Sequence, residues 1–274
     1  MTINPAFIDV PLDEEAEKLG IPKGYMDDGR ADKCRSFADA EPLIPESQWR
    51  PTYELIKAAN EGKGAFTSNL ITRIFSQLNE GSCVGNAWLQ FIQTMFARQF
   101  GKENVVQMSA ISGYKQIGFS SNSGANIGDA LERGIDTGAL PLDTPENRVK
   151  FGKHVMPHTG FRTPFPDGWK DTAKHFRFDE FFLIRNRVEL FSALLRGFPV
   201  LVGRAGHSIL YLDLVWDDKW LVRYVNSWGE WGGPAGDFQS GFGYDSSRLF
   251  DSSARYAWTA RSVVIPPWLQ IPIA

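Results

Sequence analysis

The chain has 274 residues, of which 43% are hydrophobic and 22% charged, and its formal net charge is −3. A chain of this size can bury a full core, as one large domain or as two lobes. Its slightly acidic balance excludes the basic field of a nucleic-acid-binding protein. Two cysteines cannot build a disulfide scaffold, which favours a reducing compartment, the cytoplasm or a viral particle. The N-terminus lacks the features of a signal peptide, and no apolar run reaches the roughly 20 residues of a membrane helix.

Residues 1–42 are predicted to form an acidic N-terminal extension. The first 66 residues carry thirteen acidic and eight basic side chains, and the extension has turn signals but no sustained periodicity. We expect it to bind the body outside any cleft; the alternatives are that it crosses a cleft of the body or that it docks on a partner subunit. The side chains that could hold the extension on the body are spaced irregularly, unlike those of a helix. They are Ile8, Val10, Leu12, Leu19, Ile21, Tyr25 and Phe37.

An amphipathic helix is predicted from Ala87 onwards. Apolar side chains recur at spacings of three and four up to Phe100, and Gly101 ends the pattern. Cys83 therefore lies at or just before the helix start, with Ser82 as a candidate N-cap. Unpaired N–H groups and the positive end of the dipole favour a thiolate there. A buried structural cysteine is the alternative interpretation.

The second half of the chain has the pattern of a short helix followed by antiparallel strands. VELFSALLRG predicts the helix; PVLVG, HSILYLDLVW and KWLVRYVNSW predict strands, and Asp217-Asp218 predicts a hairpin turn. A helical first half and an antiparallel second half predict an α+β protein with two lobes and a cleft between them. We expect a helical lobe over residues 43–160 and a β lobe over residues 161–274.

Three of the four histidines have no neighbouring sequence pattern that indicates a metal site or a catalytic role. His154 and His158 have a metal-ligand spacing, but Met156-Pro157 breaks the helix that this spacing requires, and no further ligands cluster nearby. We therefore predict no metal site. His175 is interpreted as a surface or boundary residue.

His207 is the histidine with a potential catalytic context. It opens a predicted strand directly after Gly206, and Asn226 comes nineteen residues later at the end of the hairpin partner. A base and an amide at these two strand ends can meet in space. They could supply the base and the group that orients it for a cysteine nucleophile.

Four elements in this order resemble a papain-like cysteine peptidase: Gln77, Cys83 six residues later, His207, and the N-S-W-G of residues 226–229. The resemblance spans about residues 43–274. Further stretches are similar to segments of the family: LIPESQWRP, SGANIGDALE, LRGFPVLVG and GFGYDSSRLF.

The resemblance implies a two-lobed papain-like fold that hydrolyses peptide bonds in a peptide or protein substrate, without a cofactor or metal. Cys83 would be the nucleophile, His207 the base, and Asn226 the group that orients it. Gln77 would help to hold the oxyanion, and Trp228 would cover the His207–Asn226 bond from water. The residues implied to bind substrate are Ser123, Gly124, Gly206 and Trp228.

The sequence departs from the family in three respects. Val84 follows the nucleophile where the family commonly has tryptophan, and the usual disulfides are absent. The extension shows no trace of the long helical inhibitory prosegment. These departures indicate a divergent microbial or viral member.

Two other functions fit parts of the sequence. One is a papain-like fold used as a structural or docking subunit, for example of a viral particle, with partners bound by the extension or the C-terminal tail VVIPPWLQIPIA. The intact set of catalytic residue types argues against it. The other is a cysteine amidase acting on cell-wall peptides; the NSWG segment favours a peptidase.

Overall fold

Helices dominate the first half of the chain and strands the second. The computed structural model describes residues 3–26, 34–61, 65–119, 122–204, 206–253 and 256–269, apart from the side chains of residues 252 and 253. Within these ranges the α-helices are α1 (Leu12–Lys18), α2 (Glu46–Asn60), α3 (Cys83–Phe100), α4 (Ala110–Ile117), α5 (Ile127–Asp136), α6 (Pro145–Phe151), α7 (Lys170–Ala173), α8 (Arg187–Leu195) and α9 (Ser247–Ser253).

An antiparallel sheet forms the second half. Two short strands, β1 (Tyr25–Met26) and β2 (Ala125–Asn126), pair in parallel and lie outside it. The sheet strands are β3 (Phe181–Ile184), β4 (Val200–Arg204), β5 (His207–Asp217), β6 (Lys219–Val225), β7 (Gly233–Ala235), β8 (Phe238–Ser246) and β9 (Ala257–Ala260). Their order is β3-β9-β4-β5-β6-β8-β7. The predicted α+β fold is confirmed.

Helix α3 joins the two halves of the core. Every residue from Cys83 to Ala97 is buried, and the helix packs against α4 on one side and β5 on the other. A Cβ placed on Gly85 would lie 2.6 Å from the Cβ of Tyr114. The α3–α4 contact therefore depends on the absence of a side chain at Gly85.

The β5–β6 hairpin has the turn that the sequence predicts. Asp217 pairs with Lys219 around Asp218, whose φ is +57°, a left-handed conformation that aspartate tolerates better than most residues. Since the strands run antiparallel, the start of β5 and the end of β6 lie at the same end of the hairpin. His207 and Asn226 are thereby brought close together.

The N-terminal extension is an integral part of the body. Ile8 forms a bridge with Tyr244 on β8, and the Asp9 N–H donates to the Tyr244 carbonyl at 2.8 Å. The Asp9 carboxylate accepts from the Ser246 N–H at 2.7 Å and from its hydroxyl at 2.5 Å. These bonds hold the extension on the β lobe before it turns towards α3.

Side chains of the extension also enter the core. Leu12 and Phe37 are fully buried and Val10 is nearly so, whereas Leu19 is 49% exposed. The prediction that the extension is irregular and not helical needs correction at α1 (Leu12–Lys18). This helix is too short for a sustained period, but it buries Leu12 and Ala16 one turn apart.

The described part of the C-terminal tail packs on the protein's own surface. Val263 is fully buried, and Trp268 lies edge-on to Phe151 and His175, each with ring centroids 5.2 Å apart. Docking of partners through the tail stays a prediction. No helix in the described ranges could span a membrane.

Candidate active site

Cys83 is the first residue of α3, as the sequence predicts. Ser82 takes the N-cap position, but its side chain does not cap the helix. The Ser82 hydroxyl accepts instead from the Asn86 side chain at 3.0 Å. The thiol therefore sits at the N-terminal turn, where free N–H groups and the dipole favour negative charge.

The Cys83 side chain is fully buried. Burial raises the pKa of the thiol to about 12, although backbone hydrogen bonds from Ser208, Val84 and Gly24 lower it part of the way. Removal from water disfavours the thiolate more than these bonds and the helix start favour it. In this structure Cys83 is accordingly a neutral thiol.

His207 and Asn226 form a direct hydrogen bond of 2.7 Å between Nε2 and Oδ1. The same Oδ1 accepts from the Ser227 N–H at 2.7 Å, which identifies the atom as oxygen, since a backbone N–H can only donate. Nε2 therefore carries the imidazole proton, and Nδ1 is the ring atom that remains for the thiol. Burial lowers the pKa of His207 to about 4, so the ring is neutral.

Trp228 covers the His207–Asn226 bond. Its ring centroid lies 4.7 Å from that of His207, and the two planes are tilted by 38°. Trp228 is 7% exposed, and its ring meets that of Trp231 edge-on with centroids 5.2 Å apart. Trp231 in turn meets Phe7 of the extension with centroids 6.2 Å apart. The cover over the imidazole is thus supported from the N-terminal extension.

Ser208 links the nucleophile to the histidine. It follows His207 directly on β5, and its backbone lies near enough to the Cys83 thiol to lower the pKa of that thiol. The start of α3 and the start of β5, which are far apart in sequence, therefore meet at the sulfur.

Gln77 is fully buried next to the same strand end. Its Oε1 accepts from the Ser227 hydroxyl at 2.9 Å, and its Nε2 donates to the Glu80 carbonyl at 2.8 Å. The Gln77 N–H also donates to the Ser227 carbonyl at 2.8 Å. An amide Nε2 has two N–H bonds, so the bond to Glu80 leaves one donor for another acceptor.

Residues 23–26, which we call the strap, cross the site. A Cβ placed on Gly24 would lie 2.9 Å from Cys83 Sγ and 2.3 Å from the Gly81 carbonyl oxygen. The prediction that the extension binds outside the cleft is therefore wrong. Glycine at position 24 allows the backbone to pass between the sulfur and Gly81, where a side chain would collide.

Backbone groups hold the strap on both sides. The Gly24 and Tyr25 N–H groups both donate to the Gly206 carbonyl at 3.0 Å, and the Ala125 N–H donates to the Gly24 carbonyl at 2.7 Å. A Cβ on Gly124 would lie 2.6 Å from that carbonyl oxygen. Gly124 and Gly206, both predicted to bind substrate, thus contact the strap, and Ser123 is an exposed residue beside Gly124.

The remaining histidines lie apart from Cys83 or serve packing. His154 contacts the Thr172 hydroxyl through Nδ1 at 2.8 Å. His158 packs edge-on against Phe75 with centroids 4.7 Å apart, and burial lowers its pKa to about 3. Within the described ranges no group of three or more His, Cys, Asp or Glu side chains is placed to hold a metal.

A cavity of about 700 Å³ lies away from Cys83. Its lining includes Tyr53, Lys57, Phe66 and Trp216 but neither Cys83 nor His207. The space beside the thiol is not an open cleft because the strap fills it. Gly24 and Ser208 cannot be recognised from the sequence, because their contribution is made through backbone atoms that leave no side-chain signal.

The fold resembles solved cysteine protease structures at low sequence identity. Xylellain, a cysteine protease from Xylella fastidiosa, is 17% identical with a TM-score of 0.57, over 89% of this chain and 98% of its own. A structure from work on the mite allergens Blo t 1 and Der p 1 is 14% identical with a TM-score of 0.58, over 90% and 81%. Procathepsin B from Trypanosoma congolense is 12% identical with a TM-score of 0.55, over 90% and 89%.

No protein-family model matches the sequence, and no curated protein matches it. Identities of this size establish similarity of fold, and the neighbours cover most of this chain. The chain has the fold of the papain-like cysteine proteases.

Proposed function

We propose that this protein is a cysteine peptidase with Cys83 as nucleophile, His207 as base and Asn226 as the group that orients the base. The supporting observation is the 2.7 Å bond from His207 Nε2 to Asn226 Oδ1, next to a strand residue, Ser208, whose backbone lowers the pKa of the Cys83 thiol. The bond leaves Nδ1 as the ring nitrogen that would take the proton of the thiol, as the base of a nucleophile–base–orienter set must.

The reaction would proceed in two displacements. His207 Nδ1 takes the proton of the Cys83 thiol, and the sulfur attacks the carbonyl carbon of the peptide bond. The C–N bond then breaks as His207 returns the proton to the leaving amine, which yields a thioester. Water, deprotonated by His207, attacks the thioester, and the carboxylic acid product leaves with the thiol restored.

Gln77 would stabilise the oxyanion in both displacements. Its second Nε2 proton and the Cys83 N–H at the start of α3 are donors that the fold holds in place before the substrate arrives. A preorganised donor of this kind contributes about 3 kcal/mol to the transition state. The bonds from Gln77 to Ser227 and Glu80 keep the amide from rotating away.

The structure would then be a resting form of the enzyme. The strap excludes water from the sulfur, and both Cys83 and His207 are neutral there. Displacement of the strap would let water and substrate reach the pair, which lowers the thiol pKa and raises that of the imidazole. Activity therefore requires that Gly24 leave the sulfur.

Hydrolysis of a denatured protein by strap-displaced variants tests the proposal. Gly24→Ala displaces the strap by collision with Gly81, and we expect this variant to cleave the substrate. The double variant with Cys83→Ala should be inactive, whereas the matched double variant with Cys34→Ala should retain activity. Cys34 is the other free cysteine and is partly buried.

Three results would contradict the proposal. One is hydrolysis that persists after Cys83→Ala. Another is an alkylation-reactive Cys83 in Gly24→Ala without hydrolysis, which favours a docking subunit. The third is release of peptides from isolated wall fragments with no cleavage of denatured protein, which favours a cysteine amidase.

A further inference from the structure

A small internal cavity lies between α3 and the β5–β6 hairpin, beside Asn226. Its volume is about 10 Å³, which is room for about one water molecule. The residues that line it come from α3, from the start of β5 and from the end of β6 with the two residues that follow, and all of them are uncharged. An ion in this cavity would therefore lack a countercharge.

Four polar side chains that line the cavity each have one buried atom without a hydrogen-bond partner among the residues that the structure describes. These atoms are Asn86 Oδ1, Gln90 Nε2, Ser208 Oγ and Asn226 Nδ2. None of the four residues is more than 3% exposed. A buried polar atom without any partner costs its full desolvation penalty, so four such atoms around one cavity indicate a partner that they share.

One water molecule complements these four atoms. The side-chain nitrogens of Gln90 and Asn226 are donors, Asn86 Oδ1 is an acceptor, and the Ser208 hydroxyl can accept. A water molecule accepts two hydrogen bonds and donates two, which matches all four atoms, and buried waters in proteins commonly make two to four such bonds. An anion would leave Asn86 Oδ1 unpaired, and a cation would leave both amide nitrogens unpaired.

The fold directs these side chains to the same place. Asn86 and Gln90 lie one turn apart on the same face of α3, and α3 packs against β5. Asn86 is held in addition by its own Nδ2, which donates to the Ser82 carbonyl at 2.9 Å and to the Ser82 hydroxyl at 3.0 Å. These two bonds leave Oδ1 as the end of the amide that is available to the cavity.

Asn226 connects the cavity to the proposed catalytic residues. Its Oδ1 accepts from His207 Nε2 and from the Ser227 N–H, whereas its Nδ2 is one of the four atoms at the cavity. Two bonds to a single oxygen fix the position of that oxygen but leave the plane of the amide free to tilt about it. A third bond, from Nδ2, would fix the plane and with it the direction in which Oδ1 meets the imidazole.

We propose that Gln90 and Asn86 are positioning residues, which hold a buried water molecule that accepts from Asn226 Nδ2 and so keeps the amide in place against His207. The proposal rests on the proposed peptidase function and adds two residues of the nucleophile's own helix to it. In the alternative, the four side chains bond to one another without water, and this face of α3 has no effect on His207.

Nuclear magnetic resonance of the ¹⁵N-labelled wild-type protein tests for the water. Cross-relaxation should connect water to the side-chain amide protons of both Asn226 and Gln90. Gln90→Leu should abolish the signal at Asn226. Gln93→Leu is the matched control, because Gln93 lies on the same helix but bonds to the Thr72 hydroxyl and the Met108 N–H. Absence of a water signal at both amides of the wild type would overturn the proposal, and this measurement needs no variant to fold.

The ¹⁵N shifts of the His207 ring test the positioning role without hydrolysis. In the wild type they should be those of the tautomer protonated at Nε2, which the bond to Asn226 Oδ1 selects. In Gln90→Leu we expect the shifts to move towards those of the tautomer protonated at Nδ1, because a tilted amide holds the Nε2 proton less well. Gln93→Leu should match the wild type. Unchanged ring shifts in Gln90→Leu would show that Gln90 does not position His207.

Rates in the Gly24→Ala background separate failure of this inference from failure of the peptidase. Adding Gln90→Leu should lower kcat about tenfold with KM unchanged, since only part of the general-base contribution is lost, and adding Gln93→Leu should leave both constants as in the background. Hydrolysis that Gln90→Leu does not slow leaves the peptidase standing and overturns the positioning role. If no variant cleaves a substrate but the His207 shifts move in Gln90→Leu, the positioning role stands and the peptidase proposal fails.

Discussion

The backbone of Gly24 lies against the sulfur of Cys83 and lowers the pKa of the thiol, so a residue of the N-terminal extension covers the candidate nucleophile. The contact is made without a side chain, and a Cβ at position 24 would meet both Cys83 Sγ and the Gly81 carbonyl. The proposed enzyme is therefore closed by its own chain, and the closure depends on one glycine.

Gly24→Ala should open the site. The added methyl cannot lie 2.3 Å from the Gly81 carbonyl oxygen, and the strap rather than the packed α3 start should move. We expect Cys83 to react with iodoacetamide at pH 7 at least about tenfold faster than in the wild type, because access to water lowers the thiol pKa from about 12. Mass spectrometry of Cys83 and Cys34 peptides measures both rates in one sample.

Gly20→Asn is the control for this substitution. Gly20 belongs to the same extension, but nothing lies within 4 Å of its Cβ position, and its φ of +66° suits asparagine. Cys83 of the Gly20→Asn variant should be labelled at the same rate as Cys83 of the wild type. Equal slow labelling of Cys83 in Gly24→Ala and Gly20→Asn would show that the strap does not protect the thiol.

Asn226→Ala should slow catalysis in the strap-displaced background. Without Oδ1, the His207 ring loses the acceptor that fixes its Nε2 proton and its orientation. We expect kcat to fall by about 10²-fold, within the range of general acid–base contributions, while circular dichroism stays that of the parent. Asn226→Asp keeps an acceptor at this atom and should recover part of the rate; a rate for Asn226→Ala equal to the parent would remove Asn226 from the proposed site.

Stability should fall with acidification below about pH 6.5. The pKa values of His158 and His207 are lowered by burial to about 3 and about 4, so the folded state binds fewer protons than the unfolded chain between pH 6.5 and 4. The free energy of unfolding then decreases by up to about 1.4 kcal/mol per pH unit for each histidine. Urea unfolding at pH 7 and pH 5 measures the decrease.

His158→Leu removes one of these two groups without touching the proposed catalytic residues. The difference in unfolding free energy between pH 7 and pH 5 should shrink, because the ring against Phe75 no longer takes up a proton on unfolding. An unchanged pH dependence in His158→Leu would assign the acid sensitivity to other groups.

Phe37→Ala should destabilise the protein although it lies in the extension. Phe37 is fully buried and packs edge-on against Phe198 with centroids 5.6 Å apart. We expect a loss of about 3–5 kcal/mol in the free energy of unfolding, measured by urea titration. Leu19→Ala, in the same extension but 49% exposed, should change stability by under about 0.5 kcal/mol; equal small losses would show that the extension is not part of the core.

The sequence by itself determined the local features of the candidate site. The apolar period after Cys83 placed the start of α3, because a helical stripe is read from spacing alone. The hairpin signal at Asp217-Asp218 placed His207 and Asn226 at one end, because antiparallel strands joined by a tight turn must align. Both expectations rest on short-range geometry, and both are confirmed.

Only the tertiary structure decided what covers the sulfur and which protonation state results. The strap pairs with Ala125 and Gly206 through backbone N–H and carbonyl groups, which every residue carries, so no residue pattern marks the contact. Helix dipole and position predicted a thiolate at Cys83, yet complete burial by a distant segment outweighs them. Burial is a sum over the whole fold, which is why local spacing predicted the nucleophile's position but not its charge.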